Sequence, residues 1–180
     1  MPEPLIHFIV PLTILTFCGI SLKKSLILSS LAILPDLDVL FYIHRSVTHS
    51  AVFLILICIP LIGLVKLKYS NYFYDSLIGS LVLLSHPILD IFHAYTPIFY
   101  PLYRNSVFVV CKLVTDQSSI SKLQFFFDIR TIPTDFYLIA PDTEGIVFSG
   151  LGVGISLLVL VGIMIKWRVE NGRNKNGYKN

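Results

Sequence analysis

LAILPDLDVLFYIHRSVTHSAVFLILICIP, Leu31–Pro60, is the stretch on which the reading of the fold turns. It enters as the continuation of an apolar run from Ser25 and meets Pro35, Asp36 and Asp38 after about ten residues, where proline disfavours further helix. It then passes His44, Arg45, Thr48 and His49 and resumes as uninterrupted apolar sequence from Ala51. A carboxylate at the centre of a membrane span costs roughly 2.5–3.5 kcal/mol on insertion scales, so ionisable groups in such a setting point to function. The PDLD segment therefore reads as the broken or re-entrant half of a span, tolerated where it is buried in protein or lines a wet cavity.

Working outward, apolar runs recur at about 5–22, 25–43, 50–67, 76–96 and 145–167, each near the ~20 residues that cross a hydrocarbon core. The whole chain is 54% hydrophobic and 14% charged, which removes it from the soluble class. The expected fold is an all-α, polytopic membrane bundle of about five spans, forming one domain over residues 1–170 with a flexible polar tail at 171–180. Between spans four and five, residues 97–144 carry Tyr100, Tyr103, Phe108, Phe125, Phe126, Phe127, Phe136 and Tyr137. This aromatic content argues for an ordered cap at the membrane interface; Ser106–Val114 has strand character with poor alternation. The net charge of +3, dispersed between apolar runs, excludes a nucleic-acid footprint. Cys18, Cys58 and Cys111 lack CxxC spacing and read as structural thiols. Lys23 and Lys24, Lys66 and Lys68, and the cluster Lys166, Arg168, Arg173, Lys175 and Lys179 follow alternate spans, which places the amino terminus outside and the carboxyl terminus in the cytoplasm. That orientation carries His7, the PDLD segment, His44, His49 and Asp90 towards the outer half.

A second polar group lies in SHPILD. His86 and Asp90 are four residues apart on one predicted helix, and His93 follows three later on the same face. A structural His–Asp pair bridging spans is the plainer reading of HxxxD alone, an exposed turn that of PDLD, a snorkelling interface residue that of Arg45, and an interhelical hydrogen bond that of His7. Taken together, imidazoles and carboxylates without thiolates suit zinc first, or manganese or iron, as one or two ions. The metal ligands expected are His7, Asp36, Asp38, His44, His49, His86 and Asp90. Asp38 is a ligand or general base, Arg45 a clamp for an anionic group, and Thr48 and His93 are outer partners of the ligands.

LPDLD, HRSVTHS and SHPILD, in this order over Leu5–Pro101, resemble the YdjM-type family of membrane-bound, metal-dependent hydrolases. The resemblance implies that His7, Asp36, Asp38, His44, His49, His86 and Asp90 are the ligand set. The chain departs from that pattern with Ser46 where glycine is usual after HR, and with His93 and Ala94 beyond the last aspartate. Residues from Leu102 onwards match no motif. Membrane lipids are the expected surroundings and a lipid or other phosphoester the expected substrate, with hydrolysis by metal-activated water as the reaction. The alternatives are a proton- or metal-ion-conducting transporter, and a scaffold whose polar residues only join helices.

Overall fold

The computed structural model describes residues 4–41, 46–116, 119–136 and 150–177. Helix α1, Pro4–Phe17, is built from Ile, Leu and Val. It stops at Gly19, whose φ of +86° is open to glycine and strained for other residues. There Ile20 N–H returns to the Leu15 carbonyl, and Lys166 Nζ caps the Thr16 carbonyl at 2.7 Å. Helix α2, Leu22–Ser29, passes directly into a 3₁₀ stretch, Ser30–Phe41. A turn at Val47–His49 leads to α3, Ala51–Lys68, whose first turn is capped by Ser50 accepting from Phe53 N–H at 3.2 Å. Helix α4, Phe73–Asp90, precedes an antiparallel hairpin of β1, Asn105–Asp116, and β2, Ser119–Pro133, and the chain closes with α5, Gly150–Gly177.

This arrangement corrects the expected all-α bundle of five spans. Besides its helices the chain folds a two-stranded sheet, and among the described residues one helix, α3, is long and apolar enough to cross a membrane. Physical causes can be given for the first, second and fourth of the expected spans. Fourteen residues give α1 about 21 Å of rise, short of the ~30 Å core, because the left-handed turn at Gly19 ends it. The expected second span divides into eight residues of α-helix and a 3₁₀ stretch around Pro35. Helix α4 reaches the required length of 18 residues but spends hydropathy on Asp75, His86 and Asp90. In the stretch expected to be a cap, the hairpin occupies most of the described part, and α5 runs on to Gly177, into the expected tail.

The core joins α1, α2, the 3₁₀ stretch and α4 through Leu15, Leu28, Ala32 and Val82, with Ile9 and Leu12 of α1 packed on Ile163 of α5. Lys24 and Asp75 tie α2 to α4 by an ion pair. Buried Gly79 of α4 lies under Leu28 of α2 and Leu31 of the 3₁₀ stretch, where an added Cβ would meet Leu31 Cδ1 at 2.9 Å and Leu28 Cδ2 at 3.6 Å. Leu31 can yield to a methyl group but not to a branched side chain. Gly79→Leu is therefore expected to destabilise the protein by about 1–3 kcal/mol, the usual cost of overpacking, whereas Gly79→Ala stays near the lower bound. Denaturant unfolding of the detergent-solubilised variants, followed by circular dichroism, measures the difference. By contrast α3 buries only Leu54 and Cys58 of its hydrophobic residues and leaves Leu56, Ile59 and Leu64 more than 60% exposed, as a helix facing lipid does.

Candidate metal centre

Four segments bring their polar residues to one end of this core: α1 with His7, the 3₁₀ stretch with Asp36 and Asp38, the turn before α3 with His49, and the last turns of α4 with His86 and Asp90. His7, His49 and His86 are fully buried and Asp90 is 1% exposed. His44 and Arg45 lie outside the described residues. His93 sits in the exposed turn after α4, donating its backbone N–H to the Asp90 carbonyl.

The centre of the cluster is a ring of two nitrogens and two oxygens. His49 Nε2 lies 3.5 Å from Asp36 Oδ1 and 3.5 Å from Asp90 Oδ2, and His86 Nε2 lies 3.5 Å and 3.7 Å from the same two oxygens. These separations exceed the roughly 2.7–2.9 Å of a charge-assisted hydrogen bond. They match instead the edges expected around an ion: two ligands each 2.0–2.2 Å from a common centre at the tetrahedral angle are about 3.3–3.6 Å apart. His86 Nε2 and Asp36 Oδ2 are buried without a hydrogen-bond partner among the described atoms. The side chains within ion-pair distance of Asp36 and Asp90 among the described residues are imidazoles. The groups His7, His86 and Asp90, and Asp36, His49 and His86, are each close enough to hold a metal ion.

Outer contacts aim the ring. His86 Nδ1 donates to the Ala32 carbonyl at 2.7 Å, so its second nitrogen presents a lone pair to the centre. That carbonyl is available for a local reason: within the 3₁₀ stretch its donor would be the residue three positions on, which is Pro35 and has no N–H. Asp38 faces the opposite side of His49 from the ring, with Oδ2 3.3 Å from Nδ1. The same oxygen accepts from Ser46 N–H at 2.9 Å and from Thr48 Oγ1 at 3.0 Å, and Thr48 lies 3.2 Å from His49 Nδ1. Asp38 thus occupies the position of a carboxylate that orients a ligating imidazole. His7 Nε2 approaches the other oxygen of Asp90, Oδ1, at 3.2 Å, and its ring stacks on His86 with centroids 3.9 Å apart. The Ala32 carbonyl and Ser46 were not among the expected site residues; the signal for the first was proline three positions after it. Thr48→Val removes a hydroxyl from Asp38 and His49 while keeping the side-chain volume, and is expected to weaken metal binding by about 10–100-fold, as losing an outer partner does. Competition against a metal-chelating dye reads that change.

His49 also sets a pH dependence. Burial opposes its protonation, but contact with Asp36 and Asp38 and the charges of Asp38 and Asp90 outweigh burial and push its pKa from 6.5 up to about 9. A cation entering the ring must displace that proton. Metal affinity is therefore expected to rise with pH until about 9 and then level off. Dye competition between pH 6 and pH 10 measures it.

A helical protein with an apolar, lipid-suited surface and a buried histidine–aspartate cluster defines a membrane protein with a candidate metal centre. The family model described as YdjM inner membrane protein matches residues 3–169, so the chain belongs to that family. No curated protein and no solved structure matches it.

Proposed function

We propose that this protein is a membrane-bound hydrolase that holds a divalent cation, zinc first, between Asp36, His49, His86 and Asp90. The observation that carries the reading is the ring of four nitrogen–oxygen edges at 3.5–3.7 Å inside a buried cluster. Held by these residues with a further coordination position left to water, zinc or a similar ion would supply Lewis acidity, lowering the pKa of that water from 15.7 to about 7. The protein's own residues do the rest. Asp36 and Asp90 offset the positive charge, Asp38 holds His49 in orientation, and His7 holds the second oxygen of Asp90. Burial of the imidazoles keeps bulk water from competing for the centre. Arg45, one residue before Ser46, is the clamp proposed for an anionic substrate group.

Asp36 is the most open member of the cluster, with its side chain 12% exposed, and its neighbours Leu34 and Leu37 are both 46% exposed. Exposed leucines beside the most open carboxylate suit an amphiphile whose polar group reaches the ion while its chains stay in lipid. A lipid or lipid-linked phosphoester is the substrate class proposed, approached from the outer side, since Lys66 and Lys68 close α3 and His49 lies just before its opposite end. Phosphate release from a panel of lipid phosphoesters in proteoliposomes tests the reading. Metal-dependent release that Asp36→Asn lowers at least about 100-fold supports it, the scale being that of a lost transition-state electrostatic contact. Full metal loading with no release across the panel, and metal flux across the vesicle wall in its place, would sink it in favour of transport.

A further inference from the structure

The β1–β2 hairpin is rooted beside the metal centre and the start of α3. Val109 N–H donates to the Ile91 carbonyl, one residue past Asp90, and Ala51 N–H donates to the Ile98 carbonyl. Ile98, Val107 and Val109 form a small core with Ala51 and Ile91 around that root. Beyond it the two faces of the hairpin differ in kind. The register pairs Cys111 with Phe127 and Val109 with Ile129, so these residues share one face, and Phe125 follows two positions from Phe127 on the same side. Phe125, Phe127 and Ile129 are 70%, 55% and 57% exposed. Lys112, Asp128 and Arg130 all fall on the other face, beside the less exposed Phe126 and Ile132, and there Asp128 and Arg130 form an ion pair at 2.9 Å. An apolar, aromatic band with every nearby charge on its reverse is the pattern of an element lying on a membrane.

We propose that the distal part of this hairpin rests on the lipid bilayer, with Phe125, Phe127 and Ile129 inserted at the boundary between headgroups and acyl chains. The occupant follows from continuity: the hairpin leaves the protein beside Ala51, the first residue of the helix long and apolar enough to cross the membrane. It also follows from segregation of charge, since the lipid-facing side carries none and the reverse keeps its ion pair in water. The depth is limited by the backbone. A two-stranded sheet leaves outer N–H and C=O groups that water must satisfy, so the hairpin lies at the interface and does not cross. The inference does not rest on hydrolysis or on the metal.

Cys111 is an exposed native thiol on the apolar face, which makes the test direct. The full chain carrying Cys18→Ser and Cys58→Ala is labelled at Cys111 with a fluorophore and reconstituted in phosphatidylethanolamine–phosphatidylglycerol vesicles. A companion protein carries Cys111→Ser and Lys112→Cys and is labelled on the reverse face. Lipids bearing a nitroxide in the upper acyl chain are expected to quench the label at 111 several-fold more than that at 112, and aqueous iodide to show the opposite order. Replacing Phe125 and Phe127 with serine should abolish the difference while the helical circular dichroism is unchanged. Equal iodide access at both positions would overturn the proposal, and so would a label at 111 shielded from both quenchers and cross-linking between copies, which would make a second chain the occupant. Metal content measured on the same samples separates the outcomes: a metal-loaded protein with symmetrical labels refutes the hairpin proposal alone, and a metal-free protein with the asymmetry intact refutes the metal reading alone.

Discussion

Asp90→Asn is expected to release the metal. The substitution keeps the size of the side chain and removes the charge from the one residue that meets three imidazoles, with Oδ2 facing His49 and His86 and Oδ1 facing His7. The amide offers at best one weak neutral oxygen where the carboxylate offers two, so two contacts of the cluster fail together. The loss should exceed the about 10–100-fold that an outer partner costs. Elemental analysis of protein purified in detergent should find stoichiometric metal in the parent and almost none in the variant. Asp128→Asn, on the exposed face of the hairpin where it pairs with Arg130, should bind as the parent does. Equal metal in Asp90→Asn and the parent would show that Asp90 joins helices and holds no ion.

Removal of the metal is expected to destabilise the fold more than any single surface change. A ligand present at about a thousand times its dissociation constant stabilises by about 4 kcal/mol, and a chain of this size shifts its melting temperature by about 2–4 °C per kcal/mol, so chelation should lower the midpoint by on the order of 10 °C. Three of the four segments that meet at the centre also share the apolar core, so the loss falls on its polar end. Asp36 and Asp90 face the same two histidines across gaps too long for good hydrogen bonds, and without a metal ion the proton on His49 alone offsets the buried carboxylates. Thermal unfolding with and without a high-affinity chelator, and restoration by added zinc or manganese, measures the effect. The Asp36→Asn, Asp90→Asn double variant should melt at the same temperature with and without chelator. A parent protein indifferent to both chelator and metal would mean that the cluster is held by its own contacts.

The site was more legible in the sequence than the fold. Carboxylates and imidazoles stand out where their neighbours are Leu and Ile, and Asp36, His49, His86 and Asp90, distant along the chain, are gathered in space as expected. What spacing did not convey is the division of labour between Asp36 and Asp38. Two residues apart in a 3₁₀ stretch, one carboxylate reaches the ring and the other the far nitrogen of His49. The helix α3 was visible because its apolar run is unbroken by charge from Ala51 to Val65. The expected second span was not, because hydropathy averages over the change from α-helix to 3₁₀ at Ser30. The hairpin was obscured at its root, where Val107, Val109 and Val110 are all buried and the alternation of a one-sided strand disappears.

X-ray absorption at the metal edge tests the central claim most directly. For the purified protein reconstituted with zinc, the account predicts a first shell of nitrogen and oxygen at about 2.0–2.2 Å with the outer-shell scattering of two imidazoles, and loss of that signal in Asp90→Asn. A first shell containing sulfur near 2.3 Å, or a spectrum of hydrated zinc unchanged by the substitution, would contradict it.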